Sequence, residues 1–458
     1  MNTTHKINAD ALRTILRKSE LNKPGKKILF ACVPADGHFN PLLPLAIHLL
    51  SEGYDVRWYT SEKYAKKTEA AGITHYPFKN ALDISSKPPA ELFPEREQIK
   101  SKIKKLVFDM TNGFVLRAPE YYEDIKEIHK IFPFDIVIAD CLFFAIPFIK
   151  HNLDVPVISI GVVPLLESSR DIAPPGLGLT PPASLFQRIK YKALHYITTA
   201  MFKKPTGLLR QLLKQYGIAM NINNMFDYMI RESSLLLQIG TPGFEYKRSD
   251  IGSNIRFIGA SLPAAGTQKK WYSPKLRQYR KVILVTQGTV EKDISKLIVP
   301  ALTAFKNSEY LVIATTGGSH TEELRKQFNY ENIIIEDFIP FDEVMPIANV
   351  YISNGGYGGV TFSIKHKLPM VVAGIHEGKS EINARVGYFG IGINLQTERP
   401  APQAIKTAVL KIFQDGAYRA NIQILSDEFN TYNANRLCGS YIDKAIEKHY
   451  RNSFIKSK

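Results

Sequence analysis

Apolar residues follow two alternating spacings along this chain. Short unbroken apolar runs recur, and after each one apolar positions return every three or four residues. Residues 26–33 (KKILFACV) form the first run, after a Pro-Gly break, and read as a buried strand. Leu42, Leu43, Leu45, Ala46, Leu49 and Leu50 then keep helical spacing, with Pro41 suited to the first turn and Gly53 to the stop. Residues 55–60 (DVRWYT) give the next strand. A strand–helix–strand start predicts a parallel sheet with helices on its faces. The rhythm continues with strands at 74–78, 135–140, 156–161 and 235–240, a long helical region over 90–131, and helices near 184–201 and 205–216. Residues 242–280 hold many breakers and little periodicity, and read as an interdomain linker. A second series follows. Its strands fall at 282–286, 310–314, 333–338, 350–353, 370–373 and 391–395, with helices at 291–307, 320–328, 342–348, 357–367 and 380–389. Helices at 402–414, 417–430 and 433–449 close the chain.

The pattern predicts an α/β protein of two Rossmann-like, doubly wound domains facing a cleft. The expected division is a flexible polar arm at 1–26, a first domain at 27–241, the linker at 242–280, a second domain at 281–430, and a last helix at 431–458 that crosses back onto the first domain.

Composition narrows the class. The chain has 458 residues, 45% hydrophobic and 22% charged, which excludes a mostly disordered or collagen-like protein. No apolar run approaches the roughly 18–20 residues of a membrane-spanning helix. The first 27 residues lack an apolar core segment, so a signal peptide is not expected. Three scattered cysteines, Cys32, Cys141 and Cys438, argue against a disulfide framework and fit a cytoplasmic location. The net charge is +16, but nearly all of it sits in residues 1–27, 172–226 and 441–458. Nucleic-acid binding would need a basic face across the core, so no nucleic-acid partner is expected.

Chemistry gathers at strand ends. Asp36-Gly37-His38-Phe39-Asn40-Pro41 follows the first strand, where ligands of open α/β sheets bind. Gly37 would allow close backbone approach. His38 has two readings: a loop histidine that caps a helix, which spacing alone favours, or a neutral imidazole that takes a proton from a hydroxyl. Asp140 ends the strand DIVIAD and reads equally as a helix N-cap or as the carboxylate that orients His38. In the second half, Gly288-Thr289 closes a strand and can offer N–H groups and a hydroxyl to a phosphate. Asn354-Gly355-Gly356-Tyr357-Gly358-Gly359 follows another strand and opens a helix. A tight strand–helix turn accounts for one or two of these glycines. Four within five residues point to close approach of a diphosphate at a helix N-terminus. Phe338-Ile339 ends a third strand; a core Phe is the commoner outcome, and stacking on a nucleotide base is the functional one.

Together these residues resemble the family 1 glycosyltransferases of GT-B fold, in the bacterial branch that modifies macrolides and flavonoids. The resemblance rests on GHFNP (37–41), VTQGT (285–289) and the long block from Asp337 to Leu395. It implies His38 as general base and Asp140 as its partner. It implies a nucleotide-diphosphate sugar, a UDP-sugar first, as co-substrate, with no cofactor and no metal. The implied reaction is inverting transfer to a hydroxyl of a small lipophilic acceptor such as a flavonoid, phenolic or polyketide. The donor would be held by Gly37, Gly288, Thr289, Phe338, Ile339, Asn354, Gly355, Gly356, Tyr357, Gly358, Gly359, Glu377 and Lys379. Departures from the family pattern are visible. Phe338 replaces a Trp, Phe341 a Gln, Asn354 a His, Gly358-Gly359 an Asn-Ser pair, and Phe362 a ribose-binding Glu. The late acidic-Gln pair is out of register, with Glu377, Lys379, Ser380 and Glu381 nearby. Lys379 reads equally as a phosphate or sugar contact and as a surface lysine.

The acid-free segment 172–226, with Phe186, Tyr191, Tyr196, Met201 and Phe202 among its cations, falls where the family builds its acceptor pocket. A solvated amphipathic helical pair is the plainer reading, and contact with an anionic membrane is the other. The competing functions are a non-catalytic nucleotide-sugar-binding auxiliary protein, a nicotinamide oxidoreductase (against which the missing GxGxxG counts), and an epimerase acting on the donor itself.

Overall fold

The computed structural model describes residues 25–261, 271–288, 291–376 and 378–456. Most of the expected N-terminal arm, together with Thr289 and Glu377, therefore lies outside the described residues. Two compact units divide the chain. Unit 1 takes the described part of Met1–Ile160, with Lys204–Leu236 and Asn435–Lys458; unit 2 takes Gly161–Lys203 and Leu237–Ala434.

The first sheet begins with β1 (Lys27–Ala31), followed by helix α1 (Leu43–Ser51), β2 (Asp55–Tyr59) and β3 (Thr74–Tyr76). Helix α2 (Arg117–Ile131) leads to β4 (Ile136–Asp140), and β5 (Val157–Gly161), β6 (Leu235–Ile239) and β7 (Ile255–Gly259) complete it. The strand order is β3-β2-β1-β4-β5-β6-β7. β1 pairs in parallel with both β2 and β4. The sequence of β4, IVIAD, is buried at all five positions, as expected for a strand covered on both faces.

The second sheet contains β8 (Val282–Thr286), β9 (Leu311–Thr315), β10 (Ile333–Glu336), β11 (Val350–Ser353), β12 (Met370–Val372) and β13 (Gly392–Asn394), in the order β10-β9-β8-β11-β12-β13. Ile283, Val285, Val312, Ala314 and Ile352 pack against Ile298, Leu302, Ile405 and Val409 in its core. In both sheets the winding direction reverses beside the first strand, between β1 and β4 and between β8 and β11. Loops diverge at such a point and leave room for a ligand at the carboxyl ends.

Four local expectations change. The region 90–131 is not one helix: it breaks at Pro94 and passes through a wide turn at Met110–Val115 before α2. A proline inside the first turns removes an N–H and forces a new start. The stretch read as linker contains β7. The helix expected at 291–307 forms only over Ile298–Phe305, and Met225–Glu232 adds a helix capped by the Asn224 side chain. The last helix spans Ala434–Lys456; its Asp443 accepts bonds from Lys26 Nζ (2.8 Å) and Tyr54 Oη (2.7 Å) within unit 1. Among the described residues, no helix is long and apolar enough to cross a membrane.

Candidate active site

In unit 1 the chain leaves β1 at Ala31 and makes a tight turn. Ala35 N–H donates to Val33 O (2.8 Å) and His38 N–H to Ala35 O (2.9 Å). Phe39 pins this turn by stacking between Trp58 (centroids 4.5 Å apart) and Tyr64 (4.2 Å). Asp36 faces Lys63 and Lys67 at 3.6 and 3.8 Å. His38 thereby projects beside the end of β4, where Asp140 is fully buried.

The Asp140 carboxylate accepts three bonds, each 2.8 Å long: from Val33 N–H, from Leu142 N–H, and from His38 Nδ1. In a neutral imidazole whose Nδ1–H donates to this carboxylate, Nε2 has the lone pair. Asp140 thus closes the turn after β4 through Leu142 N–H and bonds His38 as well, but it caps no helix: the N-cap position of the next one is Ala145. The next helix, α3 (Ile146–Asn152), starts later than expected. Gly37 is exposed, and a Cβ there would meet no atom within 4 Å.

In unit 2 the β8 and β11 turns meet. Gly288 adopts a left-handed φ of +77°, and its missing Cβ would lie 3.4 Å from Asn354 Nδ2. That amide donates to Gln287 O. Helix α6 (Tyr357–Lys365) starts on the Gly-rich turn; it is preceded in chain order by α4 (Leu185–Met201) and α5 (Lys203–Gln215). The four glycines divide into two kinds. Gly355 (φ +85°) and Gly359 have no room for a side chain, because Asn383 Oδ1 and Tyr351 Oη stand 1.8 and 2.8 Å from the built Cβ positions. Gly356 has only Asn354 Oδ1 near, at 4.0 Å, and Gly358 has nothing within 4 Å. The protein's own packing explains the first two and leaves the second two facing open space. Tyr357 is buried, and its hydroxyl donates to Ile239 O (2.7 Å), which anchors the helix start.

Phe338 is 69% exposed and is not a core residue. Its ring edge lies against Gly318, and Asp337 O beside it accepts from Gly317 N–H and Thr315 Oγ1, both at 2.9 Å. Ile339 is half-buried next to it. Helix α7 (Lys379–Tyr388) begins with Lys379, whose stem passes Gly374; Gly374 in turn sits against Asn354 O. At Glu398 burial pushes the pKa up, but bonds from the Ile375 and His376 N–H groups, with the charges of His376 and Lys379, bring it below the usual carboxylate value.

Residues 302–434 match the family described as "Erythromycin biosynthesis protein CIII-like, C-terminal domain". The chain is 32% identical to 4'-demethylrebeccamycin synthase of Lentzea aerocolonigenes, over 88% of this chain and 96% of that protein. The chain belongs to the family 1 glycosyltransferases. It is also 30% identical to UDP-glucosyltransferase 1 of Beauveria bassiana, over 88% of this chain and 92% of that one. The solved structure of the kitacinnamycin glycotransferase covers 92% of this chain and 99% of its own at a TM-score of 0.72 and 17% identity, which shows the GT-B fold.

This glycosyltransferase is therefore an enzyme, and the auxiliary-protein, oxidoreductase and epimerase readings fall away. Some of its neighbouring groups carry no sequence signal. Cys32 lies fully buried near Asp140; burial, and then the Asp140 charge, push its thiol up to about 12. Gln287 is buried and works structurally, accepting from Leu297 N–H (3.0 Å) and donating to Asp293 O (2.7 Å). Glu381 accepts from Gly176 and Gly178 N–H at 3.1 and 2.9 Å. The Glu381 partners lie 205 and 203 residues away in sequence, and no local spacing announces them.

Proposed function

We propose that this glycosyltransferase moves a sugar from a nucleotide-diphosphate sugar, a UDP-sugar first, to a hydroxyl of a small lipophilic acceptor, with inversion at the anomeric carbon. The observation that carries the proposal is the 2.8 Å bond between His38 Nδ1 and the buried Asp140. His38 Nε2 takes the hydroxyl proton as the acceptor oxygen bonds to the anomeric carbon. The bond from that carbon to the diphosphate oxygen breaks, and its electron pair leaves with the diphosphate. Asp140 holds the tautomer and stabilises the imidazolium that forms. One displacement inverts the centre, so an α-linked donor gives a β-linked product.

Unit 2 supplies the donor side in this reading. The N–H groups at the start of α6 and the helix dipole face the departing diphosphate, with Gly356 and Gly358 allowing close approach. Lys379 adds charge beside the same turn, and the exposed Phe338 ring offers a platform for the base. In this reading backbone N–H groups and a lysine take the place of a metal at the diphosphate. The relatives' names are in keeping with this reading: one is a UDP-glucosyltransferase and another a 4'-demethylrebeccamycin synthase.

The test is a donor–acceptor screen in EDTA. UDP-glucose, UDP-N-acetylglucosamine, UDP-galactose and TDP-sugars are paired with flavonoid, phenolic and macrolide acceptors, with products read by mass spectrometry and anomeric proton NMR. A β-glycoside formed in EDTA supports the proposal. A retained anomeric configuration, or transfer that needs a divalent ion, contradicts it.

A further inference from the structure

Helix α4 presents its apolar face outward. Leu185, Phe186, Ile189, Tyr196 and Ile197 are 74, 76, 60, 80 and 60% exposed. At about 100° per residue, these five side chains, with Ala193 and Ala200, fall within one arc of roughly 120° that runs the length of the helix. Single exposed apolar residues are ordinary, but a contiguous stripe of five large ones on one helix is not.

The other side of the helix explains why it holds its place. Tyr191 is buried and donates its hydroxyl to Thr180 O (2.8 Å). His195 Nε2 bonds Ile172 O (3.0 Å), and Ser184 caps the first turn by accepting from Gln187 N–H (3.2 Å). The inner face is thus polar and bonded, and the outer face is apolar. That is the reverse of a helix whose apolar stripe packs on its own core.

Charge selects the occupant. Lys190 and Lys192 project on opposite flanks of the apolar arc, by the same helical geometry, and both are exposed. The sequence from 172 to 226 contains seven Lys and Arg and no Asp or Glu. A second copy would bring two such acid-free segments face to face, which like charge opposes. An apolar stripe between lysines is the pattern of a helix lying in a membrane interface, its apolar side chains among the acyl chains and its lysines at anionic headgroups. We infer that α4 docks this glycosyltransferase on an anionic lipid surface through Leu185, Phe186, Ile189, Tyr196 and Ile197, with Lys190 and Lys192 at the headgroups. This inference is independent of the roles proposed for His38 and Asp140.

The experiment is vesicle flotation of the full chain. One set of vesicles is phosphatidylcholine with about one-third phosphatidylglycerol, and the other is phosphatidylcholine alone. The protein is expected to float with the anionic vesicles, less at high salt, and far less with the neutral ones. Phe186→Ser with Ile189→Ser, and separately Lys190→Glu with Lys192→Glu, should each lower the bound fraction about tenfold or more. Neither pair should change Tm, because these side chains are exposed. Flotation with neither set, equal flotation with both, or double variants that still bind would overturn the inference. So would a concentration-dependent dimer in sedimentation that the Phe186→Ser, Ile189→Ser protein loses, since a second copy would then cover the stripe.

Discussion

Gly355 and Asn383 occupy mutually exclusive space: a Cβ on Gly355 would stand 1.8 Å from Asn383 Oδ1. Asn383 cannot readily move, because its Nδ2 donates to Gly374 O at 2.9 Å in a fully buried position. Gly355→Ala should therefore destabilise the protein by about 1–3 kcal/mol, from the clash and the left-handed φ together. Gly358→Ala meets no atom and should leave Tm within about 1 °C while raising KM for the donor several-fold, because the new methyl enters the space assigned to the diphosphate. Calorimetry and donor titration on the two variants separate the roles. Equal loss of Tm in both would contradict the division of the four glycines.

Phe338→Ala should weaken donor binding about tenfold with little change in Tm, since the ring is exposed and stacking on a base is worth roughly 1–3 kcal/mol. Nucleotide titration of the two proteins checks this. Unchanged affinity would remove Phe338 from the donor site.

Arg385 is buried between two carboxylates, with Nη1 2.5 Å from Glu381 Oε1 and Nη2 2.5 Å from Glu245 Oε1. Its guanidinium also lies 4.1 Å from the centre of the Tyr246 ring. Arg385→Met leaves both carboxylates buried without this partner and should cost about 3–5 kcal/mol. Burial alone pushes the Glu245 pKa up, but Arg385 and Arg248 overcome this and hold it below the ordinary value. A depressed carboxylate stabilises the fold above its unfolded pKa and loses that contribution as pH falls through its folded pKa. The wild-type Tm should therefore drop below about pH 4, and Arg385→Met should lose the share of this acid-side dependence that Arg385 gives Glu245, while Arg248 still holds that carboxylate. Thermal unfolding across pH 3–7, with the pH range set by ordinary carboxylate titration, measures both effects.

The cysteines should differ in reactivity. Burial, followed at Cys32 by the charge of Asp140, pushes the thiols of Cys32 and Cys438 up to about 12. Both stay protonated and shielded at pH 8, a pH near the ordinary thiol value, whereas Cys141 is half-exposed. A disulfide-exchange reagent should modify Cys141 first in the native protein and all three only after denaturation.

Periodicity made the sheets legible because buried parallel strands are short apolar runs and their helices carry a second spacing. The helices at 402–414 and 417–430 coincide with the observed Pro402–Gln414 and Ala417–Asn430. β7 escaped notice because IRFIG is a brief run between Gly252 and Gly259, inside a stretch dense with breakers. The 90–131 region looked continuous because its polar–apolar spacing runs on through Pro94, where the backbone cannot. His38 and Asp140 were readable as a pair through topology and through the resemblance: β1 and β4 are neighbours, so a residue just after β1 and one at the end of β4, 102 apart in sequence, come together. The Glu381–Arg385–Glu245 arrangement had no such route. Glu245 is 140 residues from Arg385, and it sits where the chain read as linker.

The most direct test of the central claim is kcat with saturating donor and acceptor for wild type, His38→Ala, Asp140→Asn and the double variant. General-base loss predicts a fall of about 10²–10⁴ in His38→Ala, with donor affinity unchanged. Asp140→Asn should fall about 10²-fold or more, because an amide can donate to Nδ1 and favour the wrong tautomer. The double variant should be little worse than His38→Ala alone, as expected for two groups acting as one unit. A His38→Ala enzyme within a few-fold of wild type, or losses that multiply in the double variant, would contradict the account.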